Sequence, residues 1–224
     1  MLTIPTLIAT LVIGQAVLPV PKTQAQEDYA KFSLRLELGA TWYGDIADQD
    51  IDTGPYISIG GVYAIPMNDT LYLTFGSDLS YRDGDANGSF SDSRIKSSKG
   101  KYDYTTTTDW NGDIETYALM FNVGIEQTFG SNTHYGWGLE TGLQFGVAWN
   151  QGEVEGTVDD GYSVEGFSFR ETSVNLAWGA FVGGFYAFEN NMKASVGFKY
   201  FDAGEVANMD VDGVNLYAGF SYGF

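Results

Sequence analysis

Residues 31–42 read Lys31-Phe32-Ser33-Leu34-Arg35-Leu36-Glu37-Leu38-Gly39-Ala40-Thr41-Trp42. Phe32, Leu34, Leu36, Leu38, Ala40 and Trp42 share one parity, while Ser33, Arg35, Glu37, Gly39 and Thr41 share the other. A strand turns successive side chains to opposite faces. The stretch therefore predicts a strand with one face in an apolar medium and the other beside charges. A helix would scatter the same side chains around its axis.

Seven further segments repeat the pattern, at 56–65, 71–82, 116–128, 135–149, 173–188, 193–201 and 213–224. In none of the eight does the apolar parity class carry a charge. Its only members that are neither apolar nor aromatic are Gly61, Ser77, Gln127, Thr141 and Gly184. The opposite class holds Arg35, Glu37, Asp78, Arg82, Asn122, Glu126, Glu140, Gln144, Lys199 and Asn215, interleaved with glycine. Between the segments, 66–70, 129–134 and 189–192 are short and mostly rich in Asn, Asp and Gly, as tight turns require. The alternate connections, 44–55, 83–115, 150–172 and 202–212, are long. This alternation predicts an all-β, eight-stranded antiparallel up-and-down barrel, both ends of the chain lying at the short-turn side.

Which class faces inward follows from volume. An eight-stranded barrel has room only for side chains or one small ligand. The apolar class, with Trp42, Trp137, Trp149 and Trp178, would overfill it. Turned outward, it forms the apolar band a bilayer demands, and a closed ladder leaves no backbone edge in lipid. Aromatics collect where interfacial girdles belong. Phe32, Tyr63, Tyr135, Trp137, Tyr186, Phe188, Tyr222 and Phe224 fall near the turn end; Trp42, Tyr81, Tyr117, Trp149 and Tyr200 fall near the loop end.

Composition narrows the function. The 224 residues suit one domain, and 16% aromatic with 18% charged residues excludes a disordered chain. Eleven Lys+Arg against 29 Asp+Glu give a formal charge of −18, which excludes nucleic acid as a partner, since phosphate binding needs a basic patch. The absence of Cys removes disulfides, thiolate metal sites and Cys nucleophiles. The first 25 residues open with an uncharged stretch, 1–21, that contains the apolar run Leu7-Ile8-Ala9-Thr10-Leu11-Val12-Ile13, and they end on Thr23-Gln24-Ala25. They are expected to be a secretory signal peptide, leaving 26–224 as the barrel.

The last segment, Val214-Asn215-Leu216-Tyr217-Ala218-Gly219-Phe220-Ser221-Tyr222-Gly223-Phe224, carries aromatics at alternate positions and finishes on Phe224. It resembles the C-terminal signal of bacterial outer-membrane proteins, and the whole barrel region resembles the small eight-stranded outer-membrane and surface-antigen barrels of the OmpA type. That resemblance implies periplasmic turns, surface loops, lipopolysaccharide as a neighbour, and recognition of Phe220, Tyr222 and Phe224 by the barrel-assembly machinery.

Three sets of residues could carry chemistry. Some barrels of this size resemble outer-leaflet lipid enzymes, which need a His beside a Ser. The single histidine, His134, instead sits in a predicted periplasmic turn, so no enzyme is expected. In the lumen, Arg35, Glu37, Asp78, Glu126, Glu140 and Lys199 face inward at similar heights, as a salt-bridged plug or as the gate of a narrow channel with Arg35 its central cation. Phe181 and Phe185 add bulk there, while inward glycines such as Gly124, Gly138, Gly142, Gly183 and Gly197 are expected to reopen room.

The long connections hold most of the acids, with Arg94, Lys96, Lys99 and Lys101 the main counterweight. Carboxylates recur at alternate positions at Asp48, Asp50 and Asp52 and again at Asp210 and Asp212, a spacing that can converge oxygens on Ca²⁺ or Mg²⁺. Neither these nor the similar runs from Asp83 and Asp109 complete an EF-hand, since Ile59, Arg94, Met120 and Gly219 stand where its last Glu belongs. No firmly bound cofactor is expected; weak Ca²⁺ or Mg²⁺ beside lipopolysaccharide phosphates is. The reading favours a structural or surface-contact protein whose acidic loops meet an extracellular ligand or host surface. A small channel for ions or apolar solutes is the alternative, and a lipid-modifying enzyme a weaker one.

Overall fold

The computed structural model describes residues 31–44, 50–51, 53–95, 103–129, 136–159, 163–188, 191–207 and 209–224. Segments with an uncharged apolar parity class pair side by side, giving β1 (Lys31–Tyr43), β2 (Asp50–Ile51), β3 (Gly54–Pro66), β4 (Leu71–Ile95), β5 (Asp103–Phe129), β6 (Gly136–Asp159), β7 (Val164–Ala187), β8 (Met192–Val206) and β9 (Met209–Gly223). The ring runs β4-β3-β1-β9-β8-β7-β6-β5 and closes through β4–β5 pairing. Every ladder is antiparallel. The first and last strands meet from Ser33↔Gly223 to Tyr43↔Gly213. The two-residue β2 stands outside the ring, pairing with Asn87 and Ala86 of β4.

The faces sort as the parity requires. Leu36 is 45% exposed and Leu143 64%, whereas the inward Arg35 and Glu37 are 7% and 1% exposed. In water those exposed leucines would be a liability; in hydrocarbon they are the solvated surface. Aromatic girdles close both ends of the band. Phe32 stacks on Phe224 at 6.4 Å and Trp137 meets Tyr186 at 5.1 Å near the turns. Tyr81 meets Tyr117 at 5.0 Å and Trp178 meets Tyr200 at 5.3 Å near the other rim. At the β3–β4 turn, Asn68 Oδ1 accepts from the backbone N–H groups of Thr70 and Leu71 at 2.9 and 2.8 Å, an Asx turn that needs no further residues.

Two sequence expectations change. Residues 83–115 and 150–172 are largely strand rather than irregular loop. The β4–β5 register continues unbroken through Asp83↔Glu115 to Ile95↔Asp103, and β6–β7 through Gly152↔Glu171 to Asp159↔Val164. By contrast β3 leaves β4 at Tyr56↔Arg82, and β8 leaves β7 at Trp178↔Asp202. The upper parts of β4, β5, β6 and β7 therefore rise past the rim as an open four-stranded sheet. Their strand signal is muted because the outward face there meets water and turns polar.

The inward glycines do not reopen the bore either. A Cβ on Gly124 or Gly142 would lie 2.9 or 2.6 Å from the tip of the Phe181 ring, and one on Gly183 or Gly197 would lie 2.7 Å from the Tyr217 hydroxyl. Phe185 likewise occupies the space beside Gly138. These glycines accommodate large inward side chains, so the room they create is filled.

Candidate functional site

Inward parity brings charges from distant strands into one network. Glu37 on β1 takes the Lys199 ammonium of β8 at 2.5 Å and the Tyr56 hydroxyl of β3 at 2.9 Å, both on Oε2. Its Oε1 lies 3.3 Å from Arg35 Nε. Arg35 crosses the lumen to Glu140 on β6 at 3.1 Å. Glu140 also accepts from Tyr217 at 2.9 Å and faces Lys193 at 3.3 Å. Lys193 reaches Glu126 at 2.6 Å. Asp78 lies 3.9 Å from Lys199 and accepts from Asn122 at 2.7 Å, while Gln144 donates to Asn122 Oδ1 at 2.6 Å. The six lumen residues read from the sequence thus come together.

Sequence reasoning missed Lys193, Tyr56, Tyr217 and Arg82 as members. All four have the inward parity, which was the available signal; Lys193 and Tyr56 open their segments. Arg82 is 2% exposed yet has no carboxylate within ion-pair reach among the described residues. It donates through Nε to Asn215 Oδ1 at 3.2 Å and lies 4.1 Å from the Phe201 ring centroid, so amide and aromatic face stand in for an acid.

Above Arg82 the lumen changes character. Ile114, Ala148, Val154, Phe201, Val206, Met209 and Val211 form one buried apolar cluster, with Tyr43, Trp110 and Phe167 packed against it. The outward parity at this height is acidic: Asp83 and Asp85 on β4, Asp113 and Glu115 on β5, Glu153 and Glu155 on β6. Asp85 lies directly opposite Asp113, and Asp202 opposite Asp212. Partial burial and a hydrogen bond with Asp85 hold the Asp113 carboxyl above its ordinary range. Asp212 is raised as well, by burial and then by repulsion from Asp202 and Asp210.

The remaining sequence candidates are placed as follows. Phe220, Tyr222 and Phe224 point outward, with Tyr222 and Phe224 ring centroids 5.1 Å apart. Asp210 is exposed at the upper end of β9 and Asp212 half-buried beside it. Asp50 lies in β2, while Asp48, Asp52 and His134 fall outside the described residues, as do residues 1–25. Among the described residues no group of three or more His, Asp or Glu side chains is arranged to hold a metal ion.

This closed ring, apolar outside and charged within, defines a transmembrane β-barrel. The chain belongs to the outer membrane protein beta-barrel domain family, whose model matches residues 10–224, and it is a bacterial outer-membrane protein. Among solved structures it is similar to Neisserial surface protein A, at 16% identity and TM-score 0.41, over 87% of this chain and 99% of that one. A major outer membrane protein from Thermus thermophilus aligns at 18% identity and TM-score 0.40, over 87% and 99%. Ail, the attachment invasion locus protein of Yersinia pestis, aligns at 13% identity and TM-score 0.36, over 86% and 97%. No curated protein matches the sequence.

Proposed function

We propose that this outer-membrane barrel is a closed pedestal that carries an acidic sheet into the extracellular space for contact with other surfaces, its turn end facing the periplasm. The observation that carries the reading is the filling of the lumen. Arg35, Glu37, Glu140, Lys193 and Lys199 neutralise one another across the bore, and the apolar cluster around Ile114 and Val211 occupies its outer end. Ions crossing this path would have to break paired, desolvated charges and then enter an apolar plug, each step costing several kcal/mol. Binding residues are commonly held out on a rigid scaffold, and the four-stranded extension supplies one.

The test has two arms. The purified full chain in planar bilayers should show no steady, resolved conductance. Cells displaying it should attach to extracellular surfaces, and should lose attachment when 84–114 and 152–171 are replaced by short turns. Regular channel openings that persist across preparations would instead favour a small pore.

A further inference from the structure

Above the rim, β7 is an edge. Its lower half pairs with β8 from Trp178↔Asp202 to Ala187↔Lys193, whereas β6 accompanies it up to Asp159↔Val164. Among the described residues no strand pairs with β7 on the β8 side above Trp178. After the irregularity between Asp202 and Glu205, β8 turns to β9 and meets β7 through side chains, Ser173 Oγ and Asn175 Nδ2 donating to the Glu205 carbonyl at 2.7 and 2.9 Å. From 164 to 172, alternate backbone N–H and C=O groups therefore point away from the sheet, a template for one more strand. That stretch, Val-Glu-Gly-Phe-Ser-Phe-Arg-Glu-Thr, lacks the Pro and Lys that commonly blunt an edge.

The chemistry beside the edge selects the occupant. A groove of about 770 Å³ spans β5, β6 and β7 at this height. Within it Gly166, Thr157 and Asp109 form one cross-strand row, and Ser168, Glu155 and Asn111 the next. All six are exposed. The edge positions are small: a Cβ on Gly166 would meet nothing nearer than the Gly156 carbonyl at 3.9 Å. Strands lie roughly 4.8 Å apart, so Glu155 is about 10 Å from the backbone of an added strand, within the joint reach of a Lys and a Glu side chain. A second copy of this chain would bring two mainly acidic edges together, since Glu165 and Glu171 on the edge strand and Glu153 and Glu155 beside it outnumber Arg170, which lies 4.0 Å from Glu153.

We propose that the β7 edge at 164–172 captures an extended, lysine- or arginine-bearing peptide segment of an extracellular partner by strand addition, its cationic side chains crossing Gly166 and Ser168 to reach Glu155. This deepens the surface-contact reading and rests on it.

The test uses the full chain folded in detergent and a fluorescent peptide alternating lysine and threonine, followed by anisotropy. That peptide should bind. The same peptide N-methylated at alternate backbone amides should bind roughly tenfold more weakly, because it keeps the charge but cannot extend a ladder. A glutamate–threonine peptide should not bind, and Glu155→Gln should weaken the lysine peptide about threefold or more while heat-modifiable mobility shows the barrel intact. Equal binding of the N-methylated peptide would reduce the contact to diffuse charge attraction and overturn the proposal. So would no binding of the lysine peptide, or self-association of the chain that excludes it. If cells bearing the protein still attach through the upper sheet while the peptide fails, this inference alone falls. If shortening that sheet changes nothing, the broader reading falls with it.

Discussion

The same four strands, β4 to β7, cross two solvents, and in β4, β5 and β6 the two halves are built inside out. Below the Tyr81–Tyr117 girdle the outward residues are Leu79, Leu119, Phe145 and Leu176, and the inward ones Asp78, Asn122, Gln144 and Phe181. Above it the outward residues are Asp83, Glu115 and Glu153, and the inward ones Ile114 and Val154. Parity does not change at the boundary; the solvent does. Lipid takes the apolar face below, leaving charges to satisfy one another inside, and water takes the acidic face above, leaving aliphatics to pack inside. A strand therefore specifies only an alternation, and the medium decides which class goes out. The ring is needed only in lipid, where an unpaired edge is intolerable, and this accounts for the sheet opening once it reaches water.

The largest break in this contrast should come from unpairing the lower interior. Lys199→Met leaves Asp78 without its cation and Glu37 with Arg35 alone, and should cost about 3–5 kcal/mol in reversible unfolding. A double variant with Glu37→Met should recover part of that loss. A single variant as stable as the parent would mean that the lumen network contributes nothing to the fold.

Next comes the polarity of the outer face. Leu143→Arg places a charge at the midplane and should destabilise by about 2–4 kcal/mol in refolding titrations. Glu153→Arg, further along the same face of β6, should be near neutral because it meets water. Comparable losses at both sites would show that Glu153 is not above the bilayer. A smaller effect is due on the inner face: Ile114→Val removes one buried methylene from the upper cluster and should cost about 0.5–1.5 kcal/mol. That loss should appear chiefly as faster amide exchange in the upper β4–β6 ladders, with the membrane ring unchanged.

This division also explains what could be read from the sequence. The eight membrane segments were legible because lipid forbids a charge on one parity class, as 32–42 illustrate, and the lumen charges followed by elimination. The upper strands were hidden because both of their faces hold residues that also occur in loops: outward Asp and Glu, inward Gly84, Gly112 and Gly152 among the aliphatics. Lys193 and Tyr217 were visible by parity, but their convergence on Glu140 depends on which strands face each other across the ring. The space beside the inward glycines could not be judged without knowing that Phe181 and Tyr217 lean over them. The isolation of Arg82 was equally unreadable, since composition offered more than enough acids to pair with it.

The smallest effect concerns the acidic face itself. Asp85 and Asp113 are directly opposite on neighbouring strands, where like charges weaken pairing. Burial and Asp85 raise the Asp113 pKa above its ordinary value, so the folded hairpin binds a proton more tightly than the unfolded chain does. The sign follows from linkage. The favourable contribution is fully present below the ordinary Asp range and is lost as pH rises through the raised folded value, leaving two repelling carboxylates at neutral pH. Asp212 should behave the same way, since it is raised by burial and by Asp202 opposite it. Amide protection factors in the upper β4–β5 ladder, corrected for intrinsic exchange, should therefore rise on mild acidification while those of Phe75 and Val123 in the ring stay level. Asp113→Asn should give the higher protection already at neutral pH and flatten its pH dependence. A slope unchanged by that substitution would mean the paired carboxylates are too well hydrated to oppose the ladder, and that the upper sheet tolerates its charge without cost.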